Sequence, residues 1–515
     1  MQLGNSNDKK YFSQKRVRKS FIHFIFGRAL TSILSFSYAI LVVRELSIED
    51  YATYTIMVGI AFLSIYLSGL GLHKTVPKYL SEIKQKNEHL NLKKLNFSLT
   101  IIRIFSLFVF IFILNLFIAP IFDALGLKYS LNLAIYFFCY VFLFGLSLHL
   151  MKTLQVLLMQ KEVSIGFSLE WTIKVLLLIS ILFYYEQLTL EQVFLLNLLP
   201  IFINITVCFY FQYSFIKKLD YSSDNSEILD IKNIYKFSLH NYFQTLAGFH
   251  VHDSVGRILA GLLASPVAVA ALGFSYAVSA ALKRYLPANL FIGLLEPVIM
   301  AKYSDSKSFT QVTLLTGTIL KLNLFIVIPL IIWLGISGED FINLASKDKF
   351  GEYSWVVAAM FFILALDNHR SILELICNAV DESLLLFTSN IVSYPLVFLW
   401  AILAYFFSIE GFIVGLISIM VFRNMWLERK LSNRNFIFKL DWFALCKMIL
   451  VSLLSVYASS YIVSYFGELH NVIKFIVSIS LIALIYLTLF FFIKVFNEDE
   501  REALNTFIGK RLVIW

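Results

Sequence analysis

The chain has 515 residues, 59% of them hydrophobic and only 15% charged, with a mean hydropathy of +0.77 and a formal net charge of +9. Too little of it is polar to cover a water-soluble globular domain, so most of its surface is expected to face lipid. The apolar residues fall in successive blocks of about twenty, each long enough as a helix to cross a hydrocarbon core of roughly 30 Å.

Runs such as Leu107 to Leu114 are apolar on every side. A transmembrane β-barrel would alternate apolar and polar residues, so the fold class is an all-α polytopic membrane protein with about fourteen transmembrane helices. In chain order, a basic arm (Lys9, Lys10, Lys15, Arg16, Arg18, Lys19) precedes an apolar block that starts at Phe21 and ends at Val43 without a small-residue cleavage site. It reads as a retained first span behind a cytoplasmic arm, not a signal peptide. The predicted spans are 21–43, 51–72, 98–120, 130–151, 163–185, 190–214, 237–263, 267–294, 312–336, 353–376, 383–406, 410–427, 443–465 and 471–494. With a cytoplasmic N-terminus, the inward segments carry Lys74, Lys78, Lys84, Lys86, Lys93, Lys94, Lys217, Lys218, Lys232, Lys236, Lys302, Lys307, Arg429, Lys430, Arg434, Lys439, Lys494, Arg501, Lys510 and Arg511. The outward ones carry only Arg44, Lys128, Lys347 and Lys349. This asymmetry places both termini in the cytoplasm and makes the basic excess a matter of topology rather than of nucleic-acid binding.

Cys139, Cys208, Cys377 and Cys446 form no CxxC pair and read as small core residues. The longest outward segment, Ser337 to Tyr353, is too short for a folded domain, and no phosphate-binding loop is present. Any function must therefore lie between the spans. Segments 46–82 and 264–305 each run from a polar turn through a small-residue-rich helix to a Pro and a Lys-Tyr pair, the trace a duplicated six-helix unit would leave.

An ionisable group at the centre of a span costs about 2.5–3.5 kcal/mol on insertion scales, so each is expected to meet a partner or a wet cavity. In the seventh span Tyr242, Leu246, His250, Asp253 and Arg257 are spaced as one helical stripe, with Asp253 and Arg257 able to pair. Arg28 shares a face of the first span with Thr31, Ser32 and Ser35; it either snorkels to the cytoplasmic interface or awaits an anion. Glu170 and Lys174 are a predicted i,i+4 pair beside Trp171, and the tenth span carries Asp367, Arg370, Glu374, Asn378 and Asp381 on one stripe. Lys321 in the ninth span and Ser275, Ser279 and Lys283 in the eighth complete the set, while Arg103 and Lys152 read as anchors near helix ends. The candidate substrate contacts are thus Arg28, Ser32, Lys174, His250, Arg257, Lys321 and Arg370. The carboxylates that would couple movement to a proton or Na⁺ are Asp253, Glu170, Asp367 and Glu374.

No nucleophile–base pair or metal-binding His/Asp cluster stands out, with His250 and His252 on different sides of one predicted helix, so an enzyme is not expected. A cavity with a slight excess of cations suits transport of an anion by alternating access, with no cofactor.

The segment from Arg44 to Gly71, with Leu46, Glu49, Tyr51 and Tyr54 after the first span and Gly69 and Gly71 closing the second, resembles the polysaccharide flippases. These are the O-antigen and exopolysaccharide transporters of the multidrug/oligosaccharidyl-lipid/polysaccharide exporter superfamily. Asp253, Ile258, Leu259, Pro266 and Val269 fill a second family pattern, although Ala260 and Ala270 stand where glycine is usual, and Gly411 and Gly415 extend the likeness. The resemblance implies two six-helix bundles around a V-shaped cavity plus two C-terminal helices. On that basis the chain divides into an arm (1–20), an N-terminal bundle (21–216), a cytoplasmic linker (217–236), a C-terminal bundle (237–430), a cytoplasmic loop (431–442), two additional spans (443–494) and a tail (495–515). It implies an undecaprenyl-diphosphate-linked oligosaccharide as substrate in a bacterial inner membrane, Arg28 and Arg257 as its diphosphate or acidic-sugar contacts, and membrane lipids and a polysaccharide polymerase as partners. The alternatives are a drug/cation antiporter of the same superfamily, a membrane-embedded glycan polymerase or ligase, and a scaffolding subunit.

Overall fold

The computed structural model describes residues 14–86, 88–127, 130–185, 187–219, 229–289, 299, 303, 308–465 and 471–508. The chain divides into two compact units, Met1–Leu262 and Leu263–Trp515.

In the first unit the long helices are α1 (Gln14–Glu45), α2 (Ile48–Leu67), α3 (His89–Ala124), α4 (Leu131–Val156), α5 (Gln160–Tyr184), α6 (Leu190–Lys217), α7 (Ile231–Ala247) and α8 (Asp253–Leu263). Polar punctuation between the apolar blocks sets their starts. Ser47 caps α2 by accepting from the Asp50 N–H at 3.0 Å, and Ser130 caps α4 by accepting from Leu133 at 3.1 Å. A reciprocal Thr189–Gln192 capping box opens α6. Pairs α1/α5, α4/α6, α5/α6 and α3/α4 pack side by side. On α3, Phe105, Phe108, Phe112 and Leu116 stay more than 60% exposed, an apolar stripe with no protein partner in the unit and the expected lipid-facing surface.

The second unit holds α9 (Pro266–Lys283), α10 (Phe309–Ser337), α11 (Ser354–Ala379), α12 (Ser383–Val392), α13 (Pro395–Ser432), α14 (Trp442–Ser464), α15 (Asn471–Phe492) and α16 (Glu498–Ile508). Here α10 packs on α11, α14 and α16, and α11 packs on α9 and α13.

Eleven helices among the described residues are long and apolar enough to span a membrane. The predicted eleventh span (383–406) is broken after Val392, where α12 ends, and its remainder is joined to the twelfth in α13, which kinks at Phe407 and Ser408, where the serine takes a φ of 49°. Past the kink the chain folds back tightly. A Cβ at Gly411 would lie 1.9 Å from the Leu403 carbonyl oxygen, and one at Gly415 would lie 2.5 Å from the Trp400 ring, whose Nε1 donates to the Phe412 carbonyl at 2.9 Å. Those two glycines are therefore fixed by close approach of two helices.

The seventh span departs from expectation. Instead of one helix over 237–263, α7 ends at Ala247 with Gly248 as its cap, a 3₁₀ turn covers Phe249–Val251, and α8 begins at Asp253. His252 closes the gap, because its Nδ1 accepts the Ser254 N–H at 3.2 Å and so acts as a side-chain cap for α8. Tyr242, Leu246, His250, Asp253 and Arg257 consequently do not form a single stripe. The units divide at Leu262, so α7 and most of α8 belong to the first; part of the expected linker 217–236, residues 220–228, lies outside the described residues.

Candidate functional site

In the first unit the strongest polar feature is the pair the i,i+4 spacing predicts. Lys174 Nζ lies 2.6 Å from Glu170 Oε1, with side chains 4% and 1% exposed. The second carboxylate oxygen accepts from Asn204 Nδ2 on α6 at 2.6 Å, and the same amide donates to Ser147 Oγ on α4 at 3.1 Å. A Cβ at Gly166 would meet the Asn204 oxygen at 2.5 Å, which explains a glycine one turn before the pair. Lys174 also sits 4.6 Å from the Trp171 ring centroid, and Trp171 meets Tyr38 edge-on at 5.8 Å. Both charges are thus satisfied internally, a neutral polar knot joining α4, α5 and α6.

Arg257 is half-buried on α8 where that helix crosses α2. A Cβ at Gly59 would fall 2.9 Å from the Arg257 Cβ, and one at Gly261 would fall 2.6 Å from Ile56, so two glycines permit the crossing. The guanidinium lies within electrostatic reach of Tyr51, Tyr54 and Tyr140. No Asp253–Arg257 ion pair forms among the described residues, and Asp253 is exposed in the first turn of α8. His250 is buried in the 3₁₀ turn. Ser32 is 2% exposed, and its hydroxyl has no partner among the described residues. The side chain of Arg28 lies outside the described residues.

Arg103 is a correction. Its helix starts at His89, not near residue 98, so the arginine stands about four turns inside α3 rather than at an end. It is 4% exposed and donates to the Ile65 carbonyl at 3.1 Å, Ser68 Oγ at 3.2 Å and the Gly145 carbonyl at 3.4 Å. These acceptors, all neutral, sit at the end of α2 and in α4.

In the second unit, α11 keeps the predicted stripe through Asn378, whereas Asp381 lies beyond the helix at a φ of 61°. Asp367 pairs with Lys283 of α9 at 2.5 Å, both half-exposed. Arg370, 5% exposed, meets Glu374 at 3.2 Å and donates to Ser389 Oγ at 2.8 Å and to Asn390 Oδ1 at 3.2 Å. Arg423 of α13, which sequence reasoning passed over, donates to the same Asn390 oxygen at 2.6 Å. The two donor nitrogens are therefore at most about 6 Å apart, a distance at which unit charges repel by on the order of 3 kcal/mol at an effective dielectric of 20. Beside them His369 Nε2 lies 2.9 Å from Glu428 Oε1.

Lys321 is held elsewhere. Its ammonium is 2.7 Å from both Asp441, the cap of α14, and Glu500 of α16. Lys321, Asp441 and Glu500 border a mostly apolar cavity of about 490 Å³ between α10, α14 and the segment 437–441. Among the described residues no three His, Cys, Asp or Glu side chains group closely enough to hold a metal ion.

The structure thus joins Glu170 to Lys174 and Arg370 to Glu374 and leaves Lys321 and Asp367 with partners the local sequence does not reveal. Apolar helices that bury charged side chains in each of the two units define a multi-pass membrane protein. Residues 17–291, more than half of the chain, match the family described as "Polysaccharide biosynthesis protein", and the chain belongs to that family. Among solved structures its fold is similar to the lipid II flippase MurJ in an inward closed conformation, with a TM-score of 0.62 and 14% identity over 91% of this chain and 99% of that one. It is also similar to a multidrug resistance MATE family transporter of the MOP superfamily. The inward-facing form gives a TM-score of 0.59 at 12% identity, covering 81% of this chain and 99% of that one. The outward-facing form gives 0.56 at 13%, covering 84% and 99%. These likenesses establish the fold. No curated protein sequence matches.

Proposed function

We propose that this protein is a flippase that carries an undecaprenyl-diphosphate-linked oligosaccharide, an O-antigen or exopolysaccharide repeat unit, from the cytoplasmic to the periplasmic leaflet of a bacterial inner membrane by alternating access. Both termini are cytoplasmic in this reading, the chain performs no covalent chemistry, and it works beside a polysaccharide polymerase. The family and the transporter fold support it. The observation that carries it within the chain is Arg257, a cation set at the glycine-lined crossing of α2 and α8 and within electrostatic reach of Tyr51, Tyr54 and Tyr140. A guanidinium offers paired donors to phosphate, and tyrosine offers a flat face and a hydroxyl to sugar. Arg28 is the second proposed diphosphate contact. For ion coupling, Glu170, Asp367 and Glu374 are already matched by Lys174, Lys283 and Arg370, which leaves Asp253, exposed at the start of α8, as the proposed proton or Na⁺ carrier.

The test is complementation of a deletion strain, scoring surface polysaccharide and the leaflet in which the lipid-linked repeat units accumulate. Arg257→Ala should lose most surface polysaccharide with the protein still in the membrane, and Arg257→Lys should keep part of it. A deletion strain with normal surface polysaccharide refutes the proposal, and one with altered drug resistance instead favours the antiporter.

A further inference from the structure

Where α11, α12 and α13 meet, two buried guanidinium groups share one neutral acceptor. Arg370 and Arg423 are 5% and 7% exposed and converge on one amide oxygen, Asn390 Oδ1, at 3.2 and 2.6 Å. Arg370 has a carboxylate partner in Glu374, whose side chain is 48% exposed, whereas the acceptor shown for Arg423 is that neutral amide alone. The other acid within electrostatic reach of Arg423, Asp367, is taken up by Lys283 at 2.5 Å. Two N–H donors, Arg370 Nη1 and Arg423 Nε, are buried without an acceptor among the described residues. A buried cation is tolerated when an anion or several strong acceptors match it, and one shared amide oxygen matches neither guanidinium in charge.

We infer that Arg370 and Arg423, with Asn390 and Ser389 beside them, form a binding site for a small inorganic anion, of which chloride is the natural occupant. The local charge count selects a monovalent ion: Glu374 is the one carboxylate among the described residues that contacts either guanidinium, Glu428 beside them being directed at His369, so the two guanidinium groups are short by one contacting negative charge. The burial selects a compact one, because the two guanidinium groups are 5% and 7% exposed and Arg370 Nη1 and Arg423 Nε are buried. Glu374 marks the way in, since its half-exposed carboxylate already reaches from solvent to Arg370. Such an ion would brace three helices of the unit, and the inference stands whatever cargo the protein moves.

The experiment is thermal unfolding of the purified full-length protein in detergent, with sodium chloride exchanged for sodium gluconate at constant ionic strength. The wild type should unfold several degrees higher in chloride, with a saturable dependence that bromide reproduces. Arg423→Gln should abolish the difference. Asn390→Asp supplies the missing charge covalently, so it should be as stable in gluconate as the wild type is in chloride and should ignore chloride; it keeps the test decisive if the arginine variant does not fold. Equal stability of the wild type in the two salts, or a chloride effect that survives in Asn390→Asp, overturns the inference. Greater stabilisation by inorganic phosphate than by chloride also overturns it and assigns the site to phosphate.

Discussion

Lys321 on α10 and Glu500 on α16 meet at 2.7 Å although 179 positions of sequence separate them. Asp441 holds the same ammonium at 2.7 Å from the start of α14, so one lysine fastens three segments. Glu500 also accepts from the Asn497 N–H at 2.9 Å and thereby helps start the helix it anchors. The lysine is 7% exposed, and a buried charge that loses its partner typically costs about 3–5 kcal/mol. Lys321→Met strands the buried Glu500 carboxylate while water solvates the half-exposed Asp441, so a loss at the lower end of that range, about 3 kcal/mol, is expected. Glu500→Gln should free α16, seen as faster tryptic cleavage at Arg501 with the rest of the chain intact; unchanged cleavage would mean that apolar packing alone seats the helix.

The same triad sets a pH dependence. Burial pushes the Asp441 carboxyl upward, but hydrogen bonds from Lys321 and the Ala444 N–H, together with the charges of Lys321 and Lys447, outweigh it and hold the group below its usual range. A carboxyl lowered in the folded state stabilises at every pH above its unfolded value and stops doing so as pH falls through the folded one. The stability gap between the wild type and Asp441→Asn should therefore stay constant from about pH 8 to pH 5 and close only below about pH 4. Parallel unfolding series of the two proteins would show this, and a gap that closes near neutrality would point to a histidine instead.

Glu170 and Lys174 predict a different signature, because their charges are matched within one buried knot. Glu170→Gln strands an ammonium at 3% exposure and is expected to cost about 3–5 kcal/mol. Replacing both partners, Glu170→Gln with Lys174→Met, removes the stranded charge and should recover most of that loss. Recovery of stability together with surface polysaccharide would mark the pair as structural; recovery of stability alone would give it a part in transport.

What the sequence discloses depends on how far apart the partners lie. The i,i+4 pairs Glu170–Lys174 and Arg370–Glu374 are visible in a string of letters because helix geometry brings them together. The partners of Lys321 and Asp367 are chosen by helix packing and leave no local trace. The break in the seventh span is signalled by Gly248 and by His252 ahead of Asp253 and Ser254, a stop followed by a start, but the apolar residues on either side carry the hydropathy straight across it. Arg103 reads as lying near a helix end because an apolar window sees the membrane-like part of α3 and not the two and a half turns before it. Arg423 stands close to the charged end of α13 at Arg429 and Lys430, where an arginine ordinarily needs no explanation.

Gly71 and Gly126 allow backbone strain to be separated from crowding. Both have positive φ, 75° and 64°, so alanine at either meets the left-handed penalty of roughly 1–2 kcal/mol. At Gly126 a Cβ would meet nothing within 4 Å, whereas at Gly71 it would stand 1.9 Å from the Ser238 carbonyl oxygen, backbone of α7 that cannot swing aside. Ser238 in turn donates to the Leu70 carbonyl at 2.7 Å and Tyr242 to the Leu67 carbonyl at 2.8 Å, so the end of α2 and α7 are clamped at this one place. Gly126→Ala should therefore cost only the conformational term, about 1 kcal/mol, while Gly71→Ala should cost that plus the displacement of α7, more than about 3 kcal/mol in all. Thermal unfolding of the two variants checks the difference, and equal losses would show that the α2–α7 clamp can open without destabilising the first unit.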